Sequence, residues 1–320
     1  MLKHDEFTGF AVAIAWPEAY CKRPGYWYDN FMNFLGVSKH HYYKVGHAAM
    51  ILIHPKTQKC YYFDFGRYHA PFQYGRVRSE SSDPGLTINT LATFSNDNKK
   101  ITNFQEILTE LQLNHECHGE GALHASYCQI DFDKAYNKAL QLQQNSPIPY
   151  GPFKYKGSNC SRFVYTTILA GQPHWSIKFQ LKYLKFFTPT PLDNVNALSN
   201  KTVIPKLLKT EAFHPTPIQD KQKLNTTLEE PTRNGKIPQN AQWLSGEGSG
   251  SWFSIDQKGN TYKIIRYSPE GDIECEGLFK IANGSKFDIN KAFSIGHLSH
   301  CQKVTIRQNN NTVVLRPYND

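Results

Sequence analysis

A cysteine, a histidine and an aspartate, far apart in a chain of 320 residues, supply the parts of thiol acyl-transfer chemistry: Cys160, His47 and Asp64. A thiolate attacks a carbonyl, an imidazole takes and returns the proton, and a third polar group holds the imidazole in one orientation. Cys160 follows the small polar run Gly157-Ser158-Asn159 and precedes an apolar run that ends at Gly171 and Pro173. Ser158 or Asn159 can cap a helix, its side-chain oxygen accepting from backbone N–H groups that have no helical partner. Gly171 is expected to close the helix in a left-handed conformation, and Pro173 forbids its continuation. Cys160 then lies in the first turn, where the positive end of the helix favours the thiolate.

The elements that must position the other two residues form a hairpin. His47 opens the apolar strand 47–53, and Asp64 sits in the aromatic strand 60–65. A strand apolar at every position is one covered on both faces. Pro55-Lys-Thr-Gln58 reads as the turn. If Pro55 faces Gln58, His47 lies opposite Gly66 and diagonal to Asp64; a turn at 54–57 puts His47 directly opposite Asp64. Either even-length turn keeps His47 and Asp64 on one sheet face, because side chains alternate with a period of two. An odd-length loop would turn Asp64 away, leaving His69 as the alternative third member. Trp27 and Tyr28, on a loop marked by Pro24, Gly25 and Asp29, are expected to line a substrate groove, with Tyr150 and Asn159 beside the nucleophile. Arg76 and Arg78 alternate on one face of an extended stretch, which reads as a solvated edge or a partner for an acidic substrate group.

Composition bounds the remaining possibilities. Hydrophobic residues make up 39% and aromatic residues 13%, the balance of a globular chain. No apolar run is long enough to span a bilayer, and the first residues lack the basic-then-apolar pattern of a signal peptide, so the expected location is cytoplasmic. The net charge of +9 is spread along the chain without an arginine-rich arm or a zinc-finger spacing, which argues against nucleic acid and leaves room for an anionic substrate. The 7 cysteines are an odd number in a chain too large to need disulfide staples. His115, Cys117, His118, His124 and Cys128 are too crowded for a tetrahedral site, so neither metal nor cofactor is expected.

Along the chain, strands are expected at 10–16, 74–78, 86–94 and 126–130. Helices are expected at 104–113, from Asp131 or Asp133 to Gln144, and from Trp175 to Phe187. Prolines recur between Thr188 and Gln242, giving an extended linker with one short helix near 218–225. Runs at 251–255, 262–267 and 273–279 and two later ones, separated by Gly-Asn, Pro-Glu-Gly-Asp and Asn-Asn-Asn, form a small antiparallel β module. The expected organisation is therefore residues 1–187, a linker over 188–242, and a module over 243–320. The module offers a surface for a protein or ligand.

The order histidine strand, second strand, helical insert and cysteine helix resembles the circularly permuted NlpC-type branch of the papain-like thiol hydrolases. Gly46-His47-Ala-Ala-Met50 is similar to that branch's histidine motif, and Asn159-Cys160-Ser-Arg-Phe163 to its cysteine motif. The resemblance covers roughly residues 8–187. It implies an α+β domain with a central antiparallel sheet and a cysteine-bearing helix, with Cys160 as nucleophile, His47 as base and Asp64 as third member. Lecithin:retinol acyltransferase-like proteins share the arrangement, so a peptide, amide or acyl-ester substrate is implied. Three functions follow: a hydrolase working through an acyl-enzyme, an acyltransferase using the same dyad, or a catalytically silent module that keeps the groove.

Overall fold

A computed structural model describes residues 7–23, 26, 38–117, 119–151, 154–183, 189–207, 213–215, 225–297 and 299–318. The chain is α+β. It opens with β1 (Gly9–Trp16), followed by the short strands β2 (Tyr20–Lys22), β3 (Ser38–Lys39) and β4 (Tyr42–Lys44), which pair as a small sheet. The hairpin β5 (His47–Ile53) and β6 (Cys60–Gly66) comes next, then β7 (Tyr74–Ser79), β8 (Leu123–Ile130), β9 (Ile148–Pro149) and β10 (Ser199–Ile204). Among the described residues these build a seven-stranded sheet in the order β10-β8-β1-β5-β6-β7-β9, its strand pairs antiparallel.

The sequence of β1 explains the layers. Phe10, Val12, Ile14 and Trp16 alternate with Ala11, Ala13 and Ala15, and every one is buried. The alanines face helices α2 (Phe132–Gln144) and α3 (Cys160–Ala170), their small side chains admitting a close helix. The large residues face α1 (Phe104–Leu113), with Ile107, Leu108 and Leu111 in the same core. The sheet therefore carries a core on each face, which is why its central strands read as unbroken apolar runs.

Two expectations about the chain are corrected. Residues 86–94 are not a strand: a 3₁₀ turn at Pro84–Leu86 leads into irregular backbone. Its N–H groups are claimed elsewhere, Asn89 and Thr90 donating to the Glu110 carboxylate and Thr93 to Asn103 Oδ1. The stretch from 188 is not all extended linker, because α5 (Pro191–Asn196) and β10 belong to the first sheet's unit. A capping box between Thr190 and Asp193, with proline at the helix start, forms that helix. The short helix expected near 218–225 lies outside the described residues apart from its end. Of the helix expected from Trp175, α4 covers Trp175–Tyr183, and residues 184–187 lie outside.

The C-terminal module is all-β. Its strands are β11 (Gln242–Leu244), β12 (Ser251–Lys258), β13 (Thr261–Tyr267), β14 (Ile273–Ile281), β15 (Ser294–Ile295), β16 (Val304–Gln308) and β17 (Asn311–Pro317). They form a sheet in the order β11-β12-β13-β14-β17-β16-β15 over a core that includes Phe253, Ile264, Val304, Val313 and Leu315. Cys275 and Cys301 form a disulfide, contrary to the expectation that this chain has no use for one. The reason is local: the module is small enough to gain from a staple.

The module docks on the first unit through buried charge. Arg266 of β13 reaches Asp83 at 2.9 Å and Glu274 at 2.7 Å, and Asp83 also receives both terminal nitrogens of Arg76 at 2.7 Å. No helix among the described residues is long and apolar enough to cross a membrane.

Candidate active site

Helix α3 begins as its sequence requires. Asn159 is extended (φ −136°, ψ 175°) and its Oδ1 accepts from Arg162 N at 2.8 Å, so Cys160 becomes the first helical residue. The left-handed closing residue is Gln172 (φ 49°); Gly171 has φ −72° and so is not the left-handed cap expected of it. Cys160 is buried, with 8% of its surface exposed at the wall of a cleft.

His47 begins β5 directly after Gly46, whose φ of +74° only glycine adopts without strain. A Cβ there would also meet the Trp16 carbonyl oxygen at 2.9 Å. Trp16 is the strand partner of His47, and the two rings stack with centroids 6.0 Å apart. Trp16 is itself fixed, its Nε1–H donating to Gln112 Oε1 at 2.9 Å.

The hairpin register is the one a Pro55–Gln58 turn sets: Ala49 opposes Asp64, which puts His47 opposite Gly66 and diagonal to Asp64. His47 Nε2 lies 3.8 Å from Asp64 Oδ2, an ion-pair spacing beyond hydrogen-bond length. Asp64 is fully buried. Arg78 grips it from the next strand, Nε donating to Oδ1 at 3.0 Å and Nη2 to Oδ2 at 2.6 Å, while the Tyr62 hydroxyl donates to Oδ2 at 3.1 Å. The Arg78 guanidinium lies 3.8 Å from the centre of the Tyr68 ring.

These contacts set the ionisation of all three groups. Burial alone would push the Asp64 carboxyl up, but Arg78 and then His47 outweigh it and hold the acid well below the usual range. Burial pulls His47 down, and the Asp64 and Cys160 contacts reverse that, raising the imidazole to about 9. Burial raises the Cys160 thiol; His47, helped by the backbone N–H groups of Ala48 and Ser161, more than offsets this and leaves it lowered. The arrangement favours the charged form of each group, with the thiol and the carboxyl lowered and the imidazole raised.

The cleft in front of these residues has a volume of about 780 Å³. Tyr150 lines it, stacked on Phe65 at 5.7 Å with the Arg67 guanidinium 5.1 Å from its ring centre. Asn159 is placed as the helix cap and is not among the residues that line the cleft. Trp27 and Tyr28 lie outside the described residues. His69 is not brought to His47: its Nε2 meets Ser251 Oγ at 2.8 Å and its Nδ1 meets Arg76 Nη2 at 3.0 Å, in the contact between the two units. Arg76 and Arg78, expected at a solvated edge or against substrate, are both buried, because acids wait for each inside the fold. The register that pairs Asp64 with Arg78 was the available signal for this grip. Nothing in the sequence pointed to Trp16 and Gln112 as the backing of His47. Of the crowded His115–Cys128 set, His118 lies outside the described residues. Among those described, no group of three or more His, Cys, Asp or Glu side chains is placed to hold a metal.

Comparison with known proteins places this architecture in a class. Residues 11–177, more than half the chain, match the family model described as type VI secretion system effector TseH-like, and the chain belongs to that family. Residues 241–317 match a second model, the DUF6695 C-terminal domain. Among solved structures, the chain is similar to the crystal structure of the type VI secretion system effector TseH, with 20% identity and a TM-score of 0.36 over 61% of this chain and 97% of that one. No curated protein matches.

Proposed function

We propose that this protein is a cysteine hydrolase that cleaves an amide or ester through an acyl-enzyme on Cys160. The observation that carries the reading is the buried Cys160 thiol at the start of α3, lowered by His47 against burial, with Asp64 3.8 Å from that ring. The thiolate attacks the carbonyl carbon, forming a C–S bond as the π electrons move to oxygen. Backbone N–H groups at the start of α3 stabilise that oxyanion. Collapse of the intermediate breaks the bond to the leaving group, which takes a proton from His47. Water then attacks the thioester as His47 takes its proton, and the acid departs from the regenerated thiolate. Since Nε2 faces Asp64, Nδ1 is the nitrogen that serves the thiol. Asp64 orients the ring and stabilises the imidazolium.

The order of the motifs, His47 before Cys160, supports the permuted NlpC-type arrangement within this family. Membership in a family described by a secretion-system effector supports an effector that acts outside the cytoplasm that makes it. The Cys275–Cys301 disulfide supports the same view, since such bonds persist in oxidising compartments. Labelling with an electrophilic activity probe followed by peptide mapping tests the reading. Cys160 should carry the label, and His47→Ala in a folded protein should abolish its preference. An acyl-Cys160 adduct that passes to an amine or alcohol but not to water would make the protein an acyltransferase. A folded protein with no adduct would make the cleft a binding groove.

A further inference from the structure

The cleft is not built by the effector-family portion alone. We propose, resting on the hydrolase reading, that residues beyond that portion form its specificity wall and that Leu228 selects substrates with an apolar group beside the scissile bond. Residues 226–229 and the turn at 247–248 line the cleft that holds Cys160 and His47, and all fall outside the 11–177 match.

The wall is fixed to the catalytic strand. Directly after β6, which carries Asp64, the Arg67 carbonyl accepts from Gly248 N at 2.9 Å, and Tyr68 bridges to Ser249 in parallel. The approach is backbone to backbone: a Cβ at Gly246 would sit 2.5 Å from His69 N. Glu247 anchors the turn with both oxygens, one pairing with the buried Arg67 and the other accepting from Gln73 N at 2.8 Å. Because those oxygens are taken, Glu247 is a positioning residue and not a ligand for substrate. The same Arg67 reaches back to the Lys22 carbonyl and to Cys21 Sγ, joining the turn to the opposite rim of the cleft.

Segment 226–228 rides on this turn. Leu228 N donates to Gly246 O at 2.8 Å, the Thr227 and Ser245 hydroxyls meet at 2.7 Å, and Lys22 Nζ reaches the Thr226 carbonyl at 3.5 Å. The backbone of Leu228 is thus pinned while 46% of the residue stays exposed at the cleft. A single exposed leucine on a surface means little. Here it has apolar company in the same cleft: Phe213, 39% exposed, packs edge-on against Tyr42 with centroids 5.1 Å apart. Leu228, Phe213 and Tyr42 form the apolar part of a lining that also carries Lys22, Glu120 and Lys206. That part suits an apolar side chain or acyl group, and the pinned backbone costs little ordering on binding.

The test uses the full chain and three probes: iodoacetamide, an N-acetyl-phenylalanyl chloromethyl ketone and its glycyl counterpart, each mapped to Cys160. The unmodified protein should react faster with the phenylalanyl ketone. Leu228→Ala should cut the phenylalanyl-to-glycyl rate ratio about tenfold, the scale of a few lost apolar contacts. Leu228→Met should restore it. The rate and pH profile with iodoacetamide should stay unchanged in both variants, since neither touches the dyad. A ratio that is no greater than one in the unmodified protein, or that Leu228→Ala leaves intact, would overturn the wall. Preferential iodoacetamide labelling of another cysteine in the unmodified protein would instead remove the hydrolase reading beneath it.

Discussion

Replacing Arg78 with methionine should unbalance the most heavily paired charge in the site. Asp64 is fully buried and receives two donors from Arg78, at 3.0 and 2.6 Å; without them only the Tyr62 hydroxyl at 3.1 Å and the more distant His47 remain. Removing one partner of a buried pair costs about 3–5 kcal/mol, because the other charge is left uncompensated. For a unit of this size that is roughly 6–20 °C in melting temperature. Asp64→Asn strands Arg78 and should cost a similar amount. The double variant should be less destabilised than the sum, since neither charge then remains. The pH dependence has a definite sign. In the unmodified protein Asp64 is lowered, so its contribution is present above the unfolded value of about 3.9 and is lost as pH falls through the folded one. In Arg78→Met burial is opposed only by His47 and the Tyr62 hydroxyl and the folded value rises, so the destabilisation should shrink as pH drops from 7 toward 4. Denaturant melts at several pH values measure this. A loss of under about 1 kcal/mol at pH 7, or a loss that grows on acidification, would refute the account of how Asp64 is held.

Other outcomes follow from the same contacts. In competitive alkylation at neutral pH, Cys160 should react before Cys60, Cys117 and Cys128, each pushed up to about 12 chiefly by burial; mass mapping reads the order. The alkylation profile of Cys160 should begin below the ordinary thiol range and change again near pH 9, where His47 loses its proton; in His47→Ala the low-pH onset should vanish. His47, being raised, contributes stability that is full below about 6.5 and lost as pH climbs through 9. Gly46→Ala forces a left-handed alanine and a 2.9 Å contact, costing about 1–3 kcal/mol and slowing Cys160 alkylation by displacing His47. Protease should cut within the exposed stretch 229–232, and the fragments should stay associated through Arg266, Asp83 and Arg67.

The parts of the fold that were legible in the sequence are those fixed by local chemistry. The alternation of alanine with large apolar residues in β1, the Asn159 cap before Cys160 and the turn at Pro55 each state their own geometry. The sequence left two even-length turns and an odd one open; the register with Ala49 opposite Asp64 selects the Pro55–Gln58 turn and with it the diagonal placement of His47 and Asp64. What failed needed partners distant in sequence. Residues 86–94 alternate like a strand, yet Glu110 and Asn103 take their N–H groups from a helix that the segment itself does not announce. Arg76 and Arg78 look like a solvated edge until acids are found buried beneath them.

The same distinction explains why the C-terminal module read as a separate unit. Its own strands, turns and core are complete, and its two buried charges that need a neighbour, Arg266 and Glu247, look like ordinary surface residues in the sequence. The first unit has a matching demand: Arg67 and His69 are buried polar groups that it does not satisfy alone. Arg67 needs Glu247, His69 needs Ser251, and Asp83 takes two guanidiniums, one from each unit. A buried charge without its partner costs several kcal/mol, so separating the two units should destabilise both. Since Arg67 also floors the cleft under Tyr150, any loosening of that contact should reach the site itself. Glu247→Gln keeps the shape while removing the charge opposite Arg67. It should lower the melting temperature and slow Cys160 labelling by the phenylalanyl ketone more than by iodoacetamide. If the two labelling rates fall together, or neither falls, then the module stabilises the chain without shaping what enters the cleft.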